Sequence, residues 1–384
     1  MNKLIIIGNG FDLAHGLKTS YGQFLKSYLM QNIEDALSED RNDDQRIFKI
    51  QVSRSYSSYG NGVDVYRTPE DVYNIFMKAP TSFNSGVTLG VGHQSRSMIT
   101  HFVNFKIATQ SKIVTKLIEA GPTLLWVDIE KIFYNELKVI LAQNISDRSA
   151  VEKLRILNHE LEVLKVVLLE HLKKETEGAK INKEFEKITE EKIYSSQILE
   201  RDFVAASYFE KEYLKFEKII FLDFNYTSIV SQCYPNETES KIIPIHGVLS
   251  NDDFPIIFGY GDEIDDVYQD IEKTNINEYM TNIKSFGYFK SHHYSDLKRT
   301  IDSDPFVVYI WGHSCGLSDR TLLNMIFEND NCVGIKIFYY KKEDGIDNYD
   351  EITQNISRHF KNKMKMRNRV LNKTLCAEIP QITQ

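Results

Sequence analysis

Leu4-Ile5-Ile6-Ile7-Gly8-Asn9-Gly10-Phe11-Asp12-Leu13 is the stretch that decides the fold. Leu4–Ile7 is wholly apolar, mostly β-branched and bounded by glycine. That is the signature of a strand buried on both faces, as in a parallel sheet. Gly8-Asn9-Gly10 turns the chain, and Phe11–Leu17 begins helically. Small residues in such a turn let a backbone approach a phosphate closely. The helix start adds N–H donors and a partial positive charge. The phosphates or ribose of a nucleotide are therefore expected near Gly8–Gly10. The pattern departs from G-x-G-x-x-G, because Leu13 stands where the third glycine belongs and the next glycine is Gly16. A tight strand–helix turn without a ligand would use the same residues. Asp12 caps the helix start, or it holds a ribose hydroxyl or the neighbouring loop.

Similar short apolar runs recur downstream: Lys218–Leu222, Lys241–Ile245, Pro255–Phe258, Pro305–Trp311 and Cys332–Tyr340, with a helix expected over Ser318–Glu328. Strands separated by helices predict an α/β, Rossmann-like, mostly parallel sheet with helices on both faces. Between the first strand and the later ones the texture changes. Residues 39–100 are rich in Ser, Tyr, Asn and Gly and read as a long irregular insertion. Residues 101–217 read as a mainly helical insertion, in which Leu154, Leu157, Leu161, Leu164 and Leu168 form the seam of a helical hairpin or of a dimer. The nucleotide-binding core is then 1–38 with 218–384. The basic tail Arg358–Lys373 reads as a solvated helix.

Bulk properties narrow the function. A chain of 384 residues buries a large core without disulfides or structural metal. The net charge of −8 removes the global basic field that nucleic acid binding uses. Cys233, Cys315, Cys332 and Cys376 are scattered with no CxxC pair, so neither a disulfide framework nor a metal site is expected, and a reducing cytoplasm is the expected compartment. The apolar run at the start is too short for a signal peptide, and no run reaches about 18 residues, so no membrane partner is expected.

Polar residues cluster where the later strands should end: Asp223-Phe224-Asn225-Tyr226-Thr227, His246-Gly247, and Gly312-His313-Ser314 with Ser318-Asp319. In open α/β sheets, ligands bind outside the carboxyl ends of the strands. Those ends would gather Gly8, Asn225, His246 and Gly312 in one crevice. A neutral His246 can accept a proton from a hydroxyl, or be purely structural. Asn225 carries both a donor and an acceptor, to orient a ribose or water or to cap its loop. Gly312-His313-Ser314-Cys315-Gly316 also fits G-x-S-x-G, which opens a serine-hydrolase reading on Ser314. Its base would be His359, in a stretch expected to be exposed. Asp262, Glu263, Asp265 and Asp266 read as a solvated acidic loop.

Gly8-Asn9-Gly10-Phe11-Asp12-Leu13-Ala14-His15-Gly16-Leu17-Lys18-Thr19-Ser20-Tyr21, followed by Phe24, resembles the opening of the bacteriophage abortive-infection AbiH family, which commonly has proline where Lys18 stands. Trp126–Glu130, Phe224-Asn225-Tyr226-Thr227, Ile245-His246-Gly247, Phe258-Gly259 and Gly312-His313-Ser314 with Ser318-Asp319 are similar to its later motifs. That family in turn is distantly similar to sirtuin-like NAD-binding domains. The resemblance implies NAD as substrate or ligand, with catalytic Asn225 and His246. Gly8, Gly10, Gly312 and Ser314 would line the cofactor pocket, and Asn9, Phe11, Asp12, His313 and Asp319 complete the cofactor-binding set. Asp12 replaces a serine of the sirtuin pattern, and the Pro-x-Phe-Arg segment and four-cysteine module are missing, which argues against lysine deacylation. NAD glycohydrolase activity and non-catalytic nucleotide sensing stay open. A nucleotide, a second copy of the chain and a phage-derived trigger are the expected partners.

Overall fold

The computed structural model describes residues 1–382 apart from 39–44, 56–63, 94–95, 121–125, 144, 200–208, 211, 236–239, 250 and 252. The chain divides into two compact units, residues 1–19 with 172–384, and residues 20–171. These bounds differ from the expected 1–38 and 218–384, because residues 20–37 and 172–217 each join the other unit's elements.

The first unit carries a six-stranded sheet: β1 (Asn2–Ile7), β2 (Lys218–Asp223), β3 (Ser240–Pro244), β4 (Phe306–Trp311), β5 (Cys332–Tyr339) and β6 (Ala377–Glu378). Its spatial order is β6-β5-β4-β1-β2-β3, and every neighbouring pair is parallel. Read from the other edge, this is the 3-2-1-4-5-6 order of doubly wound dinucleotide-binding folds. The order reverses between β1 and β4, and the crevice of such a sheet opens at their carboxyl ends.

The burial explains the apolar runs. Leu4 and Ile6 enter one core with Ile220, Leu222, Val308, Ile310, Ile335 and Ile337, beneath the helices His293–Ser303, Arg320–Phe327 and Tyr349–His359. Ile5 and Ile7 enter the other with Phe221, Val307, Tyr309 and Trp311, beneath Asn9–Ala14, Glu184–Thr189 and Ile229–Cys233. A strand covered on both faces has no polar alternation to show. Burying each such side chain contributes roughly 1.5–3 kcal/mol.

Pro255–Phe258 is no strand. Pro255 has no N–H for a ladder. The segment instead folds over the turn after β3, where Ile257 N–H donates to the His246 carbonyl (2.9 Å). A Cβ on Gly247 would lie 2.6 Å from the Pro255 carbonyl oxygen. The tail is also not all solvated. Arg369 is buried and donates to the carbonyls of Phe327 and Asn329 (both 2.7 Å), at the carboxyl end of the helix Arg320–Phe327.

The second unit corrects the irregular reading of 39–100. Strands Phe48–Ser55, Arg96–Thr109, Val87–His93 and Val65–Tyr66 make a four-stranded sheet in that order, antiparallel but for the last pair. Phe48 and Ile50 are buried while Lys49 and Gln51 are exposed, the alternation of a sheet wetted on one face. Thr68 caps the helix Pro69–Lys78 in a capping box with Asp71, with Pro69 at its first position. In 101–217 the helices Lys112–Ala120, Trp126–Ala142 and Asp147–Thr176 follow the last strand. Thr123–Leu125, ahead of Trp126, lie outside the described residues. The leucine seam of 154–168 is buried within the single chain. Among the described residues, no helix is long and apolar enough to cross a membrane.

Candidate functional site at the carboxyl ends of the parallel strands

The bends after β1 and β4 meet backbone to backbone. Gly8 N–H donates to the Trp311 carbonyl (3.1 Å) and Gly10 N–H to the Gly312 carbonyl (2.9 Å). Gly312 has φ +68°, and a Cβ there would lie 2.3 Å from the Phe11 nitrogen. A Cβ on Gly10 would lie 2.7 Å from Gly312 Cα, and one on Gly8 2.6 Å from His313 Cα. The close approach that glycine permits is therefore filled by the chain itself. Asn9, Gly10 and Gly312 form a half-buried rim at this contact, and Ser314 and Tyr226, each three residues beyond its strand, are half-buried as well.

Beneath the rim the expected residues separate into two groups. Phe11 is a core residue. Its ring lies 4.4 Å from that of His15 and 4.6 Å from that of Phe185, and is parallel to Trp311. Asp12 is buried, and its Oδ2 accepts from the Thr227 hydroxyl (2.9 Å). Burial pushes its carboxyl up to about 7. Asp223 at the end of β2 is also raised, by burial and then by the charge of Asp12. Its Oδ1 accepts the Asn225 backbone N–H (2.9 Å), and the Asn225 amide donates to the Gly8 carbonyl (3.2 Å). Asn225 thus stands against the first bend, as expected.

The second group surrounds Asp319. His246 follows β3, held by the bond from Ile245 N–H to the Asp223 carbonyl (2.9 Å). Its Nε2 lies 3.4 Å from Asp319 Oδ1 and 3.5 Å from the Tyr288 hydroxyl, and its ring also bonds the Phe224 carbonyl. His313 Nε2 lies 3.7 Å from Asp319 Oδ2, while its Nδ1 accepts from Cys315 N–H (3.0 Å). The Phe224 ring packs edge-on against both imidazoles, 5.0 Å from His246 and 4.4 Å from His313. Lys284 Nζ donates to Asp319 Oδ1 (2.7 Å). His246, Lys284, His313 and Asp319 are 3%, 2%, 6% and 7% exposed, so the cluster works in a low dielectric.

The electrostatics follow from this packing. Burial alone would raise Asp319, but the Lys284 ammonium and then the histidines overcome it and hold the carboxylate well below its usual range. Burial lowers His246, and the Lys284 charge adds to that. Burial lowers His313 to about 4. At neutral pH the cluster holds a cation, an anion and two neutral imidazoles. A neutral imidazole beside an ionised carboxylate is an arrangement for accepting a proton.

A family model, Bacteriophage abortive infection AbiH, matches residues 4–341. The chain belongs to the AbiH family. The matched span runs from β1 to just past β5 and contains every residue of the two groups. Family membership gives this AbiH protein a role in phage abortive infection. No curated protein and no solved structure matches the chain.

The serine-hydrolase arrangement does not form in this AbiH chain. His359 is buried rather than exposed, with its Nε2 on the Cys315 carbonyl (2.8 Å). The strained residue of the turn is Cys315, at φ +53°, and not Ser314, whose carbonyl accepts from the Asn355 amide (2.8 Å). The acidic run is only partly solvated: Asp262 is buried and pairs with Arg320 (3.2 Å). Sequence reasoning missed Lys284 and Tyr288. Both lie between strands, in the turns of 284–290, and the only hint was a lysine flanked by Ile283, Phe286 and Tyr288.

Proposed function

We propose that this AbiH protein binds a nucleotide at the rim over β1 and β4, with NAD as the ligand, and cleaves its nicotinamide–ribose bond. One observation carries the reading: Asn225 and His246, from the ends of adjacent strands, stand beside Gly8 and Asp319 at the switch point of a doubly wound sheet. The residues fit a ribose better than a pyrophosphate. The N–H of Gly10 and the space beside it are taken by Gly312, whereas Asn9 and Ser314 are half-buried polar side chains beside it.

Hydrolysis breaks the C–N bond to nicotinamide and leaves its electron pair on the ring nitrogen, which neutralises the pyridinium. The ribose carbon develops oxocarbenium character, by analogy with glycoside hydrolysis, until water attacks it. His246 takes the proton of that water or of a ribose hydroxyl and returns it to solvent. Asn225 orients the ribose or the water. Phe11 and Asp12 lie behind the ligand and support the bend. Depletion of host NAD then halts the infected cell, and a phage-derived trigger starts it.

The near-complete burial of His246 and Asn225 also favours a second reading, nucleotide sensing without turnover. One experiment separates the two. Purified protein is incubated with NAD, ATP and related nucleotides, with and without phage components, and each nucleotide is followed by chromatography. Nicotinamide and ADP-ribose are expected from NAD, with Asn225→Ala and His246→Ala both impaired. Full activity in both variants would refute the assignment. Thermal stabilisation by a nucleotide recovered intact would select the sensor.

A further inference from the structure

Lys284 lies outside every strand-end motif, yet its ammonium reaches the centre of the cluster. It binds Asp319 Oδ1 at 2.7 Å, the same oxygen that His246 Nε2 faces at 3.4 Å. His313 Nε2 faces the other oxygen at 3.7 Å. One buried carboxylate is thus shared by a lysine and two imidazoles. A buried carboxylate without a compensating charge is strongly unfavourable. Without Lys284, that charge would be compensated by a proton on an imidazole or removed by a proton on Asp319 itself, and the imidazoles at 3.4 and 3.7 Å are the bases beside it.

The neighbours leave this division intact. Tyr288 brings a hydroxyl to His246 Nε2 (3.5 Å), and Tyr226 and Phe224 bring rings. Ser318 donates to Asp319 Oδ2 (3.4 Å). Arg320 is engaged by Asp262 and His359 by the Cys315 carbonyl. Among the described residues, Lys284 is therefore the lysine or arginine in direct contact with the carboxylate. The segment that carries it is pinned. Lys284 N–H donates to the Tyr260 carbonyl (3.0 Å), and a Cβ on Gly287 would lie 2.8 Å from the Ile257 side chain.

We propose that Lys284 is a positioning residue that sets the proton count of the strand-end cluster: by compensating Asp319 it leaves His246 and His313 as neutral imidazoles. The consequence for catalysis rests on the reading of His246 as a base, whereas the proton count itself does not. A lysine at this point does what an aspartate alone cannot. It keeps the carboxylate ionised while sparing the imidazole the proton that a bare aspartate–histidine pair attracts.

The test is a titration of the histidine ring signals by NMR, in the ligand-free full chain. It uses wild type, Lys284→Met and Lys284→Arg. In wild type and in Lys284→Arg, His246 and His313 titrate below the ordinary value of about 6.5 and are neutral at pH 7. In Lys284→Met at least one of them becomes protonated at neutral pH, titrating above its ordinary value of about 6.5. Both rings staying neutral at pH 6 in a folded Lys284→Met would overturn the proposal. Should that variant fold poorly, Lys284→Met with Asp319→Asn supplies the second reading. Removing both charges is expected to raise the denaturation midpoint above that of the single variant. A double variant no more stable than the single one would equally overturn it. Neither measurement needs a substrate, so this inference and the assignment of NAD cleavage fail separately.

Discussion

Asp12 and Asp319 are both buried carboxyls just beyond a parallel strand, at the ends of β1 and β4, and they behave in opposite ways. Asp319 has Lys284 and two imidazoles around it and stays ionised. Asp12 has Asp223 nearby and a threonine hydroxyl, and keeps its proton up to about 7. Burial is the same for both, so the difference comes from the neighbours. One side of the switch point carries a fixed charge balance, and the other carries an exchangeable proton. A site that needs a neutral base therefore has it beside Asp319, with Asn225 supplied from the Asp12 side.

Removing one of the two carboxylates has the largest expected effect. Asp319→Ala leaves Lys284 buried without its partner, and breaking a buried pair costs about 3–5 kcal/mol. Chemical denaturation should register that loss. Next comes the contact that joins the two sides. Gly312→Ala puts a Cβ 2.3 Å from the Phe11 nitrogen at φ +68°, so strain of about 1–3 kcal/mol and a shift of the bend are expected. Gly10→Ala, without the positive φ, should cost less in the same assay.

Asp12 gives a smaller effect with a defined pH dependence. Its carboxyl titrates near 3.8 in the unfolded chain and at about 7 in the folded one. The folded state holds the proton more tightly, so the contribution of Asp12 to stability is greatest below about 4 and declines as the pH rises towards 7. Asp12→Asn should flatten that decline, seen as denaturation midpoints that change less between pH 4 and 7 than those of wild type. Thr227→Val, which removes only the hydroxyl bond to Asp12, is expected to cost about 1 kcal/mol.

The two sides were unequally legible in the sequence. Leu4–Ile7 and Phe306–Trp311 announce themselves because strands covered on both faces are continuous apolar runs. Asn225, His246 and His313 follow strands directly, so their convergence is a consequence of parallel order, and Asp319 joins them from the 3-10 turn Leu317–Asp319. Lys284 and Tyr288 arrive from the turns of 284–290, where no periodicity fixes direction. The glycine bend is ambiguous by nature, since a phosphate and a second backbone demand the same missing Cβ. The sheet of residues 48–109 was hidden because its strands alternate apolar residues with Ser, Lys, Gln and Arg, a composition that imitates a loop.

On the proposed function, a neutral His246 beside Asn225 and Asp319 serves as the base in breaking NAD. Single-turnover release of nicotinamide by triggered wild type and His246→Gln, across pH 5 to 8, tests it most directly. A drop of roughly 10²–10⁴ is expected in the variant, with a wild-type rate that falls on the acid side as the imidazole takes a proton. Equal release by both proteins, with the same acid limb in each, would contradict it.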